Sequence, residues 1–144
     1  MSVKRSILGA VAAAFAFSLC SAGVFAAGPS VMKAPPAAPY KAVSSLVKLP
    51  DFIPGLGQLF VDPTTLPAGP FLGYDHDGKL VTTTYMIPLS MMKPDMDIKA
   101  LKTPAGKVDH VEIAYNAGHP GVEEPHIHII LWNVPQSQES RVAK

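Results

Sequence analysis

Two histidines, His126 and His128, lie one residue apart in the segment EEPHIHIILW at 123–132. In a β-strand, residues two positions apart point to the same face and are about 6.6 Å apart, at ~3.3 Å per residue. Two imidazoles in that arrangement can bind one first-row divalent metal ion together. The pattern therefore indicates a metal site, whereas the plainer interpretation is a polar strand face.

A second segment, KVDHVEIAY at 107–115, places His110 and Glu112 on one strand face by the same alternation. His119 lies in the loop that joins the two segments. An antiparallel hairpin would bring these side chains onto the face that carries the paired histidines. The sequence therefore predicts one patch with five candidate metal ligands: His110, Glu112, His119, His126 and His128.

The predicted hairpin register pairs Tyr115 with Pro125, which places Glu112 opposite His128. Opposed Cβ atoms in such a pair are ~4.5–5.5 Å apart, close enough for a shared ion. A shift of two residues keeps the candidate ligands on one face, and a shift of one residue separates them.

The alternate positions of both segments are apolar, and we expect them to form the core face of the hairpin. These residues are Val111, Ile113, Tyr115, Ile127, Ile129 and Leu131. On this prediction the histidines lie on the less apolar side of the sheet.

The ligand types allow more than one metal. Three histidines with an open position suit zinc, whereas two histidines and a carboxylate also suit iron or manganese. Copper is a further candidate, because thioethers are soft ligands and the chain has four methionines close together: Met86, Met91, Met92 and Met96. Methionine is also a common residue of hydrophobic cores. The predicted cofactor is a divalent transition metal, zinc or copper. A hydrogen-bonded histidine network or a metal-free pocket is the alternative.

The N-terminal residues have the pattern of a secretory signal peptide. Lys4 and Arg5 precede an apolar run at 6–19, and the small residues Val24 and Ala26 suit cleavage after Ala26. The run is shorter than the ~20 residues that a membrane-spanning helix needs. We therefore expect residues 1–26 to be removed and the product to be periplasmic or secreted, without stable membrane insertion.

Removal of that segment changes the chemistry open to the chain. Cys20 is the only cysteine among the 144 residues, so the exported part has no thiolate and no disulfide. Loss of Lys4 and Arg5 leaves 10 basic residues against 11 acidic ones, which gives no electrostatic case for nucleic acid. The predicted partner is a metal ion, and a homo-oligomer stays open.

The rest of the chain divides into three parts by composition. Residues 27–47 are rich in Pro and Ala and predict a disordered lead. Residues 48–136 alternate short apolar segments with Pro and Gly, and residues 137–144 form a polar tail. The predicted fold is mostly β, a single antiparallel β-sandwich or barrel-like domain with at most one short helix, at 93–101.

The segment HVEIAYNAGHPGVEEPHIHIILW resembles an uncharacterised family of exported bacterial β-proteins. The signature of that family has a His, an aromatic residue with Asn, then Gly-His-Pro, then Pro-His-Phe-Asp-x-His. The residues that match are His110, Tyr115, Asn116, Gly118, His119, Pro120, Pro125 and His126. The last histidine departs from the signature, since His128 stands where the family has Asp. The resemblance supports the histidine set and implies no reaction.

A weaker likeness is to the cupins, which carry a His-x-His motif after a glycine and before a glutamate. Gly121 is one residue closer to His126 than that motif requires, and Leu131 and Trp132 stand where the glutamate belongs. We therefore favour an exported metal carrier or sensor over a catalyst. A cupin-like metalloenzyme and a non-metal binding or assembly module are the alternatives.

Overall fold

A computed structural model of the chain describes residues 31–103 and 106–144. The predicted signal peptide at 1–26 lies outside the described residues. Six strands are present in the described part: β1 (Lys41–Ala42), β2 (Gln58–Val61), β3 (Phe71–Tyr74), β4 (Leu80–Pro88), β5 (His110–Asn116) and β6 (His126–Trp132). Short 3-10 helices cover Val43–Ser45, Pro63–Thr65, Leu89–Met91 and Gln136–Val142.

The six strands form one antiparallel sheet in the order β1-β2-β3-β4-β6-β5. This confirms the prediction of a mostly-β, antiparallel single domain. The prediction of a helix at 93–101 is wrong, because that stretch forms a turn at 94–95 and otherwise irregular chain, with mostly exposed residues. An isolated helix of that length is marginal in water without an apolar face to pack. Within the described residues no helix is long and apolar enough to cross a membrane.

The segment DHDG at 75–78 joins β3 and β4 as a hairpin, and its Asp77-Gly78 pair is a sequence typical of such turns. Gly78 has a φ of 72°, in the left-handed region that glycine adopts without a steric penalty. The Asp75 side chain accepts hydrogen bonds from the backbone N–H groups of Asp77 and Lys79, at 3.0 and 2.8 Å. The carboxylate of Asp75 thereby stabilises the turn.

The β5–β6 hairpin has a register shifted by two residues from the predicted one. Ala114 pairs with His128, and Asn116 pairs with His126. Strand β5 continues to Asn116, which is the last residue to pair with β6. The Asn116 side chain then accepts a hydrogen bond from the N–H of Gly118 at 2.8 Å, at the start of the loop. Glu112 consequently lies opposite Ile130 and not opposite His128.

The prediction of which hairpin face is buried is also wrong. His126, His128, Ile130 and Trp132 are buried, whereas the alternate residues of β6 are only half-buried. On β5 the apolar side chains of Val111, Ile113 and Tyr115 are 56%, 70% and 64% exposed. The histidines therefore belong to the core side of the sheet, and the purely apolar face is the open one.

The segments predicted to be outside the domain pack against it. Among the described residues of the predicted disordered lead, β1 pairs with β2, and Val43 lies in a core cluster with Val61 and Phe71. At the other terminus Val142 is fully buried beside Trp132. Both segments therefore contribute apolar side chains to the core, and burial of these side chains favours the packed arrangement.

Candidate metal centre

Three imidazole rings converge at one end of the β5–β6 hairpin. His119, His126 and His128 each offer one ring nitrogen, and these three atoms lie within 4.8 Å of one another. The Nε2 atoms of His126 and His128 are 3.0 Å apart. The ring of His119 is nearly perpendicular to that of His126, with a centroid distance of 4.8 Å. The structure thus brings together three of the five predicted ligands.

The strand geometry positions two of these rings. His126 and His128 alternate with Ile127, so both point to the same face of β6, between β4 and β5. His128 lies across from Met86 on one side and Ala114 on the other. Because Ala114 is small, the ring of His128 has room on the β5 side.

The hairpin loop positions the third ring. His119 and Val122 exchange two backbone hydrogen bonds of 2.9 Å, which form a tight turn over the paired histidines. Gly118 precedes this turn with a φ of 129°, and a Cβ atom there would lie 2.4 Å from the carbonyl oxygen of Glu123. Only glycine fits at that position, so the Gly118-His119 step fixes where the ring lies.

Backbone carbonyls orient two of the rings and set their tautomers. The Nδ1 atom of His126 lies 2.8 Å from the carbonyl oxygen of Glu124, and that of His119 lies 3.0 Å from the carbonyl oxygen of Pro120. A carbonyl oxygen only accepts, so Nδ1 of each ring donates its proton. In the neutral ring Nε2 then has a free lone pair, which is the usual arrangement of a metal-binding histidine.

The surroundings of His128 favour the neutral form of its ring. Burial, together with the neighbouring rings of His126 and His119, lowers the pKa of His128 to about 4, because a charge there would be poorly solvated and would be repelled by a second one. His126 is fully buried. Since metal ions bind the deprotonated ring nitrogen, the neutral form of His128 is the form that can bind a cation.

The separation between two of the ring nitrogens suits a small divalent ion. A tetrahedral zinc site with Zn–N distances of ~2.0–2.1 Å places its ligand nitrogens about 3.3 Å apart. The 3.0 Å separation between His126 and His128 is close to that value. Three protein ligands leave one coordination position for water or another molecule.

The other two predicted ligands, His110 and Glu112, lie at the opposite end of the hairpin. His110 pairs with Trp132, four residues from His128 and therefore about 13 Å along the strand. Its ring nitrogens lie 3.1 Å from Asp109 Oδ1 and 3.0 Å from Glu139 Oε1. The two carboxylates raise its pKa, the hydrogen bond to Asp109 most of all. Its distance from His128 and its two carboxylate partners place His110 outside this site.

Glu112 also lies toward the end of the hairpin that contains His110 and Trp132. Its Oε2 atom accepts the indole N–H of Trp132 at 3.2 Å. The side chain therefore holds a buried tryptophan and does not reach the three histidines. The separation follows from the two-residue register shift, which moves Glu112 from beside His128 to beside Ile130.

The methionines do not gather at the histidines. Met86 is buried across from His128, whereas Met91, Met92 and Met96 are 43%, 51% and 37% exposed. One thioether beside three imidazoles is an apolar neighbour and not a soft-ligand cluster.

Sequence reasoning missed the residues that orient the rings, Glu124 and Pro120. Both act through backbone carbonyl oxygens. Since every residue has a carbonyl group, no side-chain pattern could have identified them.

No family model matches the chain, and no curated protein does. A solved structure does match it: the crystal structure of the hypothetical protein TTHB210 from Thermus thermophilus. The two chains are 41% identical, and the TM-score is 0.58. The match covers 72% of this chain and 95% of the Thermus chain.

Proposed function

This chain belongs to the family of the hypothetical protein TTHB210, and on that premise we propose that it is an exported protein that binds one divalent transition metal ion. The proposed ligands are His119, His126 and His128. The name of the relative states no activity, so the proposal depends on the site itself. Export is supported by the signal-peptide pattern at 1–26.

One observation carries the proposal: three rings converge with too few protons to satisfy one another. His119 and His126 both donate Nδ1–H to backbone carbonyls, which leaves the Nε2 atom of each ring with a lone pair, and that of His126 lies 3.0 Å from His128 Nε2. His128 has one N–H in its neutral form and can satisfy only one of them. A cation bound between the rings would satisfy all three lone pairs, since His128 can present the Nε2 atom as well.

The donor set favours zinc. Neutral imidazoles suit zinc and copper alike, whereas clustered thioether or thiolate ligands would select Cu(I). Met86 is buried opposite His128, whereas Met91, Met92 and Met96 are exposed, so the methionine argument for copper is weak here. We propose zinc as the preferred ion, with Cu(II) as the competitor to be tested. A metal site at a hairpin loop suits a carrier or sensor, because movement of the loop would withdraw His119 and open the site to release the ion.

A second candidate function is a metalloenzyme of cupin-like type. It is favoured by the fourth coordination position and by a cavity that His119 and His128 both line. In such a site the metal would supply Lewis acidity to a bound water molecule. The residues of the chain would hold the ion and exclude bulk water.

The test is metal analysis of the protein purified without a His tag, followed by titration of the metal-free protein with Zn²⁺, Cu²⁺ and Co²⁺. We expect one equivalent of metal, lost in the H126Q/H128Q double variant. H110Q is the matched control, because it removes a histidine from the same hairpin outside the site. Metal content that is unchanged in the double variant, or equally reduced in H110Q, would overturn the proposal.

A further inference from the structure

Strand β5 is a long edge of the sheet without the usual protection. It pairs with β6 on one side, and within the described residues no strand lies on its other side. The opposite edge, β1, has only two residues, whereas β5 has seven. The sequence of β5, HVEIAYN, has no Lys, Arg or Pro, with which proteins commonly guard such an edge. A long, apolar, open edge is a place where another strand can add.

The free backbone groups of β5 belong to its apolar residues. On the far side of β6, the N–H of Leu89 donates to the carbonyl oxygen of Pro125. Since backbone groups alternate in direction along a strand, odd-numbered residues of β6 bond toward β4 and even-numbered ones toward β5. The even-numbered residues of β5 pair with these. Val111, Ile113 and Tyr115 therefore direct their N–H and C=O groups outward.

The side chains of these three residues are exposed as well. Val111, Ile113 and Tyr115 are 56%, 70% and 64% exposed. The one charged residue of β5 apart from its histidine, Glu112, lies on the opposite face and bonds Trp132. An exposed apolar patch of this kind marks a site of protein association. A fitting partner offers apolar side chains together with free backbone groups, and a second β5 strand offers both.

The chain outside the described part is too short to supply that strand on the expected cleavage after Ala26. Residues 27–30 then precede Val31, which packs with Tyr74 and Leu80 over other strands of the sheet. Four extended residues span about 13 Å, at ~3.3 Å per residue, and cannot pair along seven. Residues 104–105 add only two more. A second copy of the chain is therefore the occupant that the edge fits.

We propose that two copies of this chain pair along β5, antiparallel and centred on Ile113. The six strands of each copy then form one continuous sheet across the dimer. Val111 lies opposite Tyr115 of the second copy, and Ile113 lies opposite its own counterpart. Each such pair exchanges two backbone hydrogen bonds, and the apolar side chains contact one another across the new boundary. The proposal is independent of the metal site, since none of its three ligands takes part.

Charge and length select this register over its neighbours. Centred on Ile113, the pairing places Glu112 opposite Ala114 of the second copy. A register centred on Glu112 would oppose two carboxylates, and like charges directly opposite each other are destabilising. A register centred on Ala114 would leave His110 and Val111 beyond the end of the second copy's strand. The pairing centred on Ile113 is the one that uses all seven residues.

The first test is sedimentation equilibrium of the wild type and I113K, with EDTA present so that no metal ion can bridge two copies. We expect a wild-type dimer that dissociates on dilution, because one strand pair is a small interface. I113K opposes two ammonium groups and should weaken association at least about tenfold. The stability of the separate subunit should change little, since the side chain is exposed there.

L66K is the matched control for this test. Leu66 is 47% exposed but lies between a 3-10 helix and β3, away from the β5 edge. Its substitution should leave association unchanged. A wild-type protein that stays monomeric up to about 1 mM would overturn the proposal. So would equal weakening of the dimer by L66K and I113K.

The second test is disulfide cross-linking of I113C, in a C20S background so that the introduced thiol is the only one. Opposed Cα atoms in a hydrogen-bonded pair are ~5.5 Å apart, within the range of a disulfide. I129C is the control, because Ile129 pairs with Ile113 on the same face but lies one strand inward. Its Cα atoms in the dimer are about 14 Å apart, at ~4.8 Å per strand.

We expect I113C to form a covalent dimer under mild oxidation and I129C to remain uncross-linked. Equal cross-linking of both variants would indicate copies packed face to face and would overturn the edge pairing. A dimer in which I113C does not cross-link would place the interface on another surface and would also overturn it.

Discussion

The two faces of the β5–β6 hairpin differ in a way that reverses the usual rule of hydrophobic burial. One face carries His126 and His128 beside Ile130 and is buried. The other carries only apolar residues, and its Ile113 is 70% exposed. Residue type alone therefore did not decide which face became the core. The covering elements decided it, because the apolar residues that can pack on a sheet come from segments that cross one side of it.

Two clusters identify those covering segments. Residues around Val43 and Ile53 pack over the end of the sheet that contains Met86. Phe52 and the C-terminal Val142 pack over Ile130 and Trp132. The histidines are tolerated beneath this layer because His126 has a carbonyl partner for its N–H. Burial without such a partner would cost free energy.

The largest expected contrast between the faces is in stability. I130A should lower the free energy of unfolding by about 2–5 kcal/mol, because it leaves a cavity in packed surroundings. I113A removes the same atoms from an exposed side chain and should change the free energy of unfolding by less than about 0.5 kcal/mol. Chemical denaturation of both variants measures the difference. A loss of similar size at Ile113 would show that the second face is covered in solution.

A smaller contrast concerns metal, which should stabilise the protein only through the buried face. At a free Zn²⁺ concentration about 100 times the Kd, the free energy of unfolding should rise by about 2.7 kcal/mol over the chelated protein. H128Q should abolish this increase, and H110Q should retain it. Equal stabilisation of H128Q and the wild type by Zn²⁺ would place the ion elsewhere.

The smallest contrast is in protonation at the two ends of the buried face. NMR titration of the metal-free protein should give a pKa of about 4 for His128 and one above the ordinary 6.5 for His110. D109N should lower the pKa of His110, because the hydrogen bond to Asp109 is the main cause of its shift. A His110 pKa that D109N leaves unchanged would contradict that cause.

The raised pKa of His110 also gives the sign of its effect on stability. The folded protein binds this proton more tightly than the unfolded chain, so the stabilisation is fully present below about pH 6.5. It is lost as the pH rises through the folded-state pKa. The free energy of unfolding of H110Q should therefore not show this loss as the pH rises. Denaturation curves of both proteins at about pH 5 and about pH 8 would measure the difference.

Local patterns predicted much of the fold. The Asp77-Gly78 turn, the β3–β4 hairpin and the strands around 110 and 126 follow from turn chemistry and from alternation, which depend on neighbours in the chain. The helix at 93–101 failed because a short polar segment needs tertiary packing to remain helical. The lead and the tail pack on the domain because apolar residues of both segments, among them Val43 and Val142, reach the core, and composition does not reveal such contacts.

The candidate site was predicted in part. His126 and His128 had to share a face, since their spacing fixes that in any strand. His110 and Glu112 were excluded by a two-residue register shift, which the turn around Asn116 and Gly118 sets. Register is a property of strand pairing and of the loop, so spacing within one strand could not reveal it.

The sequence by itself determined that three histidines stand within reach of one hairpin loop, and that two of them must lie on the same strand face. Only the tertiary structure decided that this face is buried, that the carbonyl groups of Glu124 and Pro120 accept the Nδ1–H of His126 and His119, and that a cavity lies against His119 and His128. The physical reason is that spacing is local, whereas burial, ring orientation and cavities depend on chain segments that are distant in sequence.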